Sequence, residues 1–219
     1  MKDRVVILGG GGHAKVVIDI LEEAGEVEIA GFVSPAEQPD SLCGYPRLGP
    51  DEALAETLNT GIGAAFVAIG DNRRRRDCIA AVERHGFTLI NAISRSAIVS
   101  RHATLARGIA VMPGAVINTG SRIEDGAIVN TNASVDHDCV IGACAHVAPG
   151  AALAGCVRLG EGVFLGTGCS VIPDITIGPW TTVGAGSVVI GDLPGGVVAV
   201  GAPAAVKRVK RIETDCETA

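Results

Sequence analysis

Aromatic side chains are scarce in this chain: four Phe, one Tyr and one Trp among 219 residues. Its core must therefore be assembled from Val, Ile, Leu and Ala, since 47% of the residues are apolar. A chain of this length is enough for two modest domains. Excess positive charge is missing too. Lys and Arg number 18 against 24 Asp and Glu, a net charge of −6. That argues against nucleic acid or an anionic membrane as the main partner. The basic runs Arg73–Arg76 and Lys207–Arg211 are local. No apolar run reaches the roughly 20 residues that span a bilayer. Asp3, His13, Lys15 and Asp19 interrupt the segment where the apolar stretch of a signal peptide would lie. The seven cysteines are an odd number and none pairs as C-x-x-C. They read as free thiols in a reducing cytoplasm, most of them small buried fillers, with no membrane insertion.

Glycine, by contrast, is abundant, 30 residues, about double the usual ~7%. The first ninety-odd residues alternate strand and helix. Residues 4–8 read as a strand and 13–24 as a helix, with apolar residues at 14, 16, 17, 18, 20 and 21. Ile29–Val33 reads as a second strand and Phe66–Ile69 as a third. A helix over roughly 73–85 follows, capped by Asp71 or Asn72. Phe87–Ile93 reads as a fourth strand. The pattern predicts a small Rossmann-like α/β domain over residues 1–95.

The pattern changes near residue 98. Counting by six from Val99 to Val189 gives sixteen positions, all Val, Ile or Leu. The residue two before each is mostly small or β-branched, as at Ala115, Ala127, Cys139 and Ala151. A period of six is the hexapeptide β-helix repeat: one aliphatic residue per hexad points into a prism, three hexads make a coil, and the small residue allows the corner. Sixteen hexads predict about five coils, a prism roughly 25 Å long at the ~4.8 Å strand spacing. The expected β-helix covers residues 96–193 without insertion, and residues 194–219 form a tail that leaves the repeat.

Chemistry concentrates in two places. The turn Gly9-Gly10-Gly11-Gly12-His13-Ala14-Lys15 follows the first strand. Its spacing partly fits a nicotinamide fingerprint. However, the second strand ends in Ser34-Pro35, without the acid that would bind a ribose hydroxyl. What remains is a glycine turn at a helix N-terminus that can hold a phosphate, with His13 and Lys15 as added donors. Gly70 and Arg73, after the third strand, reach the same sheet edge. The other arginines of that run read as a solvated helix face. In the prism, His137 and His146 interrupt a surface of apolar and small residues, and both should face outward. Asp136 and Asp138 flank His137, and either can orient its ring and raise its basicity. His102 is the only other prism histidine, and it lies far from both, so no metal site is expected.

The glycine turn ending Gly12-His13, the loop Ala68-Ile69-Gly70-Asp71-Asn72, the uninterrupted hexads and Asn130-Thr131-x-x-x-Val135-Asp136-His137-Asp138 together resemble the nucleotide-sugar N-acetyltransferases. That family includes the UDP-4-amino-sugar enzyme of bacillosamine synthesis, the GDP-perosamine enzyme and related sialic acid O-acetyltransferases. The resemblance implies a homotrimer of left-handed parallel β-helices that uses acetyl-CoA and no metal. It implies His137 as general base and Asp138 as its supporting carboxylate. It places His146, Gly155, Thr167 and Ala185 along the acetyl-CoA site. It places Gly11, Gly12, His13, Gly70 and Arg73 on the nucleotide sugar. The expected reaction is acetylation of the C4 amine of a nucleotide-linked 4-amino-4,6-dideoxy sugar. The UDP-sugar members carry acids where this chain has Ser34-Pro35, and the stretches Gly9–Val17 and Phe66–Arg73 look closest to the GDP-perosamine type, so the sugar is expected on GDP or, as the alternative, on UDP. Three rivals are an O-acetyltransferase on sialic acid or a related sugar, a nucleotide-sugar binding protein without catalysis, and a purely structural β-helix.

Overall fold

The computed structural model describes residues 2–35 and 39–209. Cys216 and the end of the second basic run lie outside the described residues. The first domain runs β1 (Arg4–Leu8), α1 (Gly12–Ala24), β2 (Glu28–Val33), β3 (Ser41–Leu42), β4 (Tyr45–Gly49), α2 (Leu54–Leu58), β5 (Ala64–Val67), α3 (Asn72–Arg84) and β6 (Thr88–Leu89). The sheet order is β3-β4-β2-β1-β5-β6, parallel except for the β3–β4 hairpin. Val5–Leu8 are buried on both faces of the sheet, as the continuous aliphatic run of a central parallel strand requires. From β1 the chain crosses to β2 on one side and later to β5 on the other. The order therefore reverses between β1 and β5, and a ligand crevice opens there at the strands' carboxyl ends.

Two strand expectations are corrected. The third strand spans Ala64–Val67, two residues earlier than its apolar run, because Ile69 and Gly70 turn their carbonyls to the guanidinium of Arg75. The segment 87–93 is two strands, not one. Thr88–Leu89 closes the α/β sheet on β5, and Ala92–Ile93 pairs with Ala110–Val111 as the first rung of the prism. Ile93 lies one hexad before Val99, so the inward ladder starts there.

The second domain is a left-handed parallel β-helix. Partners lie one coil apart, Val116 on Ser134 and Ser134 on Ala152. The strands form three flat faces. The hexad aliphatics fill the interior, and so do the small residues two before them. Ala115, Ala127, Ala133, Cys139 and Ala151 are all fully buried core. This revises the expected reason for the corners. Another position makes the turn: three residues after each aliphatic from Leu105 to Val183, Gly108, Gly114, Gly120, Gly126, Asn132, Asp138, Cys144, Gly150 and their successors to Gly186 have positive φ. Gly, Asn and Asp tolerate that conformation at little cost. The tail does not simply leave the repeat. Val197–Val200 joins the ladder beside Thr182–Val183, and Ala205–Val209 returns antiparallel on it.

The first domain sits on the face formed by Ala92–Ile93, Ala110–Val111, Ile128–Val129, His146–Val147 and their successors. Ala110, Met112 and Ile128 share a core with α1 and the sheet. The next face points the row Ile98, Val116, Ser134, Ala152, Ser170 and Val188 outward, none of them charged, and Asp136 is an acid beside that row. The third points Arg122 and Arg158 outward.

Candidate active site

Two of the four opening glycines are demanded by packing. A Cβ on Gly9 would stand 2.7 Å from the Ala68 carbonyl, and φ there is +118°. One on Gly10 would press on Ser34 Oγ and Phe32 at 3.0–3.1 Å. Gly11 and Gly12 face open space. The two differ because Gly11 is the N-cap of α1, at the mouth of a cleft of about 300 Å³ lined by Gly9–His13, Pro35, Ala68–Gly70 and Arg74. α1 has no side-chain cap and no acid in its first turn, so its free N–H groups and dipole face that cleft. α3 differs: Asp71 already caps it, accepting from Arg74 N at 2.8 Å.

Arg73 is in a neighbouring cleft of about 210 Å³, with Gly70, Phe164 and Thr182, and its guanidinium lies 4.6 Å from the centre of the Trp180 ring. Arg74 lines the glycine cleft instead. Lys15 is exposed on α1 and does not line it. Arg75 overturns the reading of the run as a solvated face. It is 1% exposed. Nε donates to Gly126, Nη1 to Ile69 and Gly70, and Nη2 to Asn72 Oδ1 and Cys144, all at 2.8–3.0 Å. All five guanidinium donors are used. They tie the loop after β5 to two prism corners. Asn72 adds bonds to the Gly162 and Val163 carbonyls.

His146 points out of the prism but not to solvent, because the first domain covers it, leaving it 8% exposed. Thr131 N–H occupies Asn130 Oδ1, so Asn130 Nδ2 donates to His146 Nε2 at 2.9 Å. Nδ1 then carries the proton and makes no well-formed hydrogen bond, although the Gly70 backbone lies near enough to favour the protonated ring. His13 lies 6.5 Å away, ring to ring, with Nε2 also unpartnered. Burial first, and Arg75 second, push His13 down to about 4 and His146 to about 3. Both rings are neutral at physiological pH, with unsatisfied nitrogens at the join of the two domains.

His137 stands at the corner between the face of the uncharged row and the third face. Nδ1 donates to Asp138 Oδ2 at 2.9 Å, so Nε2 is the free acceptor. Of the two flanking acids, Asp138 is the ring's partner. Asp136 accepts from Asn118 Nδ2 and from His137 N–H, which shapes the turn and holds its carboxyl below the usual range. The Asp138 hydrogen bond is the main cause that raises the His137 pKa above 6.5; burial opposes it, and Asp136, Asp138 and Asp174 add their charge. Cys156 Sγ completes a cluster whose ligand atoms lie within 4.8 Å of one another. With Nδ1 engaged by Asp138, that nitrogen is not available to a metal. Gly155 is beside the His137 ring, and its N–H donates to no described group. Thr167 and Ala185 are stacked at the previous corner, where Gly186 N–H bonds the Thr167 carbonyl. One chain thus separates these groups. The glycine cleft, His13 and His146 gather under the first domain, whereas His137 occupies the corner opposite the face that carries it.

Residues 4–82 match the PglD N-terminal domain family, and residues 156–191 the bacterial transferase hexapeptide (six repeats). Among solved structures, PerB from Caulobacter crescentus in complex with CoA and GDP-perosamine is 51% identical, with a TM-score of 0.90, over 93% of this chain and 97% of that one. The acetyltransferase domain of PglB from Neisseria gonorrhoeae FA1090 in complex with acetyl coenzyme A is 36% identical, with a TM-score of 0.89, over 94% and 100%. This chain belongs to the nucleotide-sugar N-acetyltransferase family. It is an acetyl-CoA-dependent acyltransferase.

The structure fits that chemistry. Open glycines at an uncapped helix suit a diphosphate, and the unpaired donors at His146 Nδ1 and Gly155 suit oxygen acceptors. Sequence reasoning missed three residues that shape these clefts and the join of the two domains. Arg75 was hidden among look-alike neighbours. Arg74 differs from Arg73 only by a rotation about the helix. Asn130 was part of a quoted motif, but the role of its amide depends on a contact sixteen residues away.

Proposed function

We propose that this protein transfers the acetyl group of acetyl-CoA to the C4 amine of a GDP-linked 4-amino-4,6-dideoxy sugar of the perosamine type. The observation that carries this is the His137–Asp138 pair: a ring fixed at Nδ1, with Nε2 free to take a proton. Whole-length similarity to PerB, described with GDP-perosamine, supports the sugar and the base. The lack of an acid at Ser34-Pro35 supports guanine over uracil.

The neutral amine attacks the thioester carbonyl, and the C–N bond forms as the C=O electrons move onto oxygen. His137 Nε2 takes the proton from the nitrogen. Asp138 stabilises the imidazolium. Gly155 N–H donates to the oxyanion. Collapse of the tetrahedral intermediate expels the CoA thiolate, which receives the proton from His137. Base catalysis of this kind contributes ~10²–10⁴-fold. Gly11, Gly12, His13 and Gly70 hold the diphosphate sugar, with Arg73 at the adjoining cleft. His146, Thr167 and Ala185 line the path of acetyl-CoA.

The active unit is a homotrimer. His137 stands opposite its own sugar-nucleotide cleft, so a complete site needs His137 from a second copy. The uncharged outward row of Ile98, Ala152 and Ser170 supports that packing. Among the described residues no helix is long and apolar enough to cross a membrane. Among the described residues six cysteines form no disulfide, which supports a reducing, cytoplasmic setting.

The test is thiol release from acetyl-CoA with GDP- and UDP-linked 4-amino sugars and free sialic acid as acceptors. The GDP sugar should be preferred, and His137→Ala should lose ~10²–10⁴-fold while remaining trimeric. Full activity in His137→Ala, or acetylation of free sialic acid alone, sinks the proposal.

A further inference from the structure

The catalytic pair leans in opposite directions along the prism axis. Asp138 reaches toward Gly120, one coil before it, and a methyl group on Gly120 would overlap Asp138 Oδ1. His137 reaches toward Gly155, one coil after it. A Cβ on Gly155 would lie 2.5 Å from Cε1, 2.6 Å from Nε2 and 3.1 Å from Nδ1 of the ring. The backbone favours glycine at only one of the two. Gly120 has φ +73°, like the other corner glycines, whereas Gly155 is not in the left-handed region. Gly155 is thus explained by the space above it and not by its own conformation. The ring and the carboxylate are both more than half exposed, so little else clamps them.

We propose that Gly120 and Gly155 are positioning residues, two empty seats one coil below and one coil above the dyad that hold Asp138 and His137 against each other. This rests on the reading of His137 as the base. Side chains in these seats would not unfold the prism. An alanine at 155 pushes an exposed ring aside, and an alanine at 120 pushes the carboxylate off Nδ1. Each would separate Nδ1 from Oδ2 while leaving the rest of the groove intact. The Gly155 N–H stays in place in the alanine variant, so loss of the oxyanion donor is not what is tested.

The test compares Gly120→Ala, Gly155→Ala and Gly150→Ala. Gly150 has the same strained backbone, φ +66°, but open space around it, so it reports the backbone cost alone. In Gly155→Ala, kcat should fall roughly 10²-fold, the scale of a ~1 Å misplacement, with KM for acetyl-CoA and Tm kept. In Gly120→Ala, the acid limb of kcat/KM should move to lower pH, because His137 loses the Asp138 hydrogen bond. The groups facing His137 are Asp138, Asp136, Asp174 and Cys156, and only the first is displaced. Gly120→Ala and Gly150→Ala should lose similar Tm, and Gly150→Ala should keep the wild-type pH profile and kcat. Wild-type kinetics in Gly155→Ala, or equal losses in Gly150→Ala, would overturn the seats while the base assignment stands. A fully active His137→Ala would instead overturn the base assignment, and the seats with it.

Discussion

At the level of single residues, charge placement decides more than charge count. Asp136 and Asp138 are equivalent in sequence, one on each side of His137, but Asp138 alone meets the ring. Asp138 sits in the left-handed corner position with φ 59°, and that turns its carboxylate back toward its neighbour. This carries a pH prediction. His137 accepts a proton only when unprotonated, and Asp138 raises its pKa above 6.5. Activity should therefore fall as pH drops through a value above 6.5. Asp138→Asn removes the charge that favours imidazolium, so the acid limb should move to lower pH and kcat should fall. A pH profile of kcat/KM checks both, and an unmoved limb contradicts the pairing. The histidine was legible in the sequence because it interrupts an apolar, small-residue surface. Its partner was not legible from spacing, which left Asp136 and Asp138 open and named Asp138 only through the family resemblance, since the choice depends on a φ angle that spacing does not report. Arg75 was illegible for a related reason. Four consecutive arginines look alike until one is turned inward to meet five acceptors, the arrangement that makes burial of a guanidinium affordable.

Among the elements, the turn from β1 to α1 divides its glycines by task. Gly9 and Gly10 serve the fold, pressed against Ala68 and Ser34, while Gly11 and Gly12 serve the cleft. Substitution should separate the two roles. Gly9→Ala forces a side chain into φ +118° and against a carbonyl, which should cost on the order of 1–3 kcal/mol of stability. Gly11→Ala meets nothing within 4 Å, so Tm should hold while KM for the sugar nucleotide rises. Thermal melts with KM measurements on the two variants check this, and a Gly11→Ala with lowered Tm and normal KM contradicts it. Helices α1 and α3 were legible to within a residue or two, because their apolar period and the Asp71 cap are local signals, whereas the five-residue α2 was not foreseen. The third and fourth strands were misjudged because apolar content does not mark where a ladder ends. Ala68 and Ile69 are apolar but belong to a ligand loop, and 87–93 straddles two sheets.

On the scale of the whole molecule, the six-residue period made the prism legible from Val99 to Val189 with no gap. The repeat is enforced at every rung by inward burial of a Val, Ile or Leu, each contributing roughly 1.5–3 kcal/mol. How the two domains sit together was not legible. That joint is built from singular contacts, Arg75 to Gly126 and Cys144 and Asn72 to Gly162 and Val163, which follow no period. The assembly prediction follows from the outward residues. Ala152→Arg places a charge in the uncharged row and should convert trimer to monomer, with acetyl transfer lost although the fold persists. Light scattering coupled to size exclusion reads the mass and circular dichroism the fold, and an active trimer would contradict the proposed packing.

A parallel coil offers the same unpaired edge after every turn, so a β-helix is in principle a polymer that can add rungs without limit. This chain ends that growth by reversing direction. Val197–Val200 still runs parallel to the ladder, but Ala205–Val209 folds back antiparallel across it, carrying Lys207 and Arg208. A further coil arriving there would find the wrong polarity and like charges instead of a matching template. The hairpin therefore closes the ladder of this face, and on that face it keeps a repeat that resembles a filament the size of an enzyme.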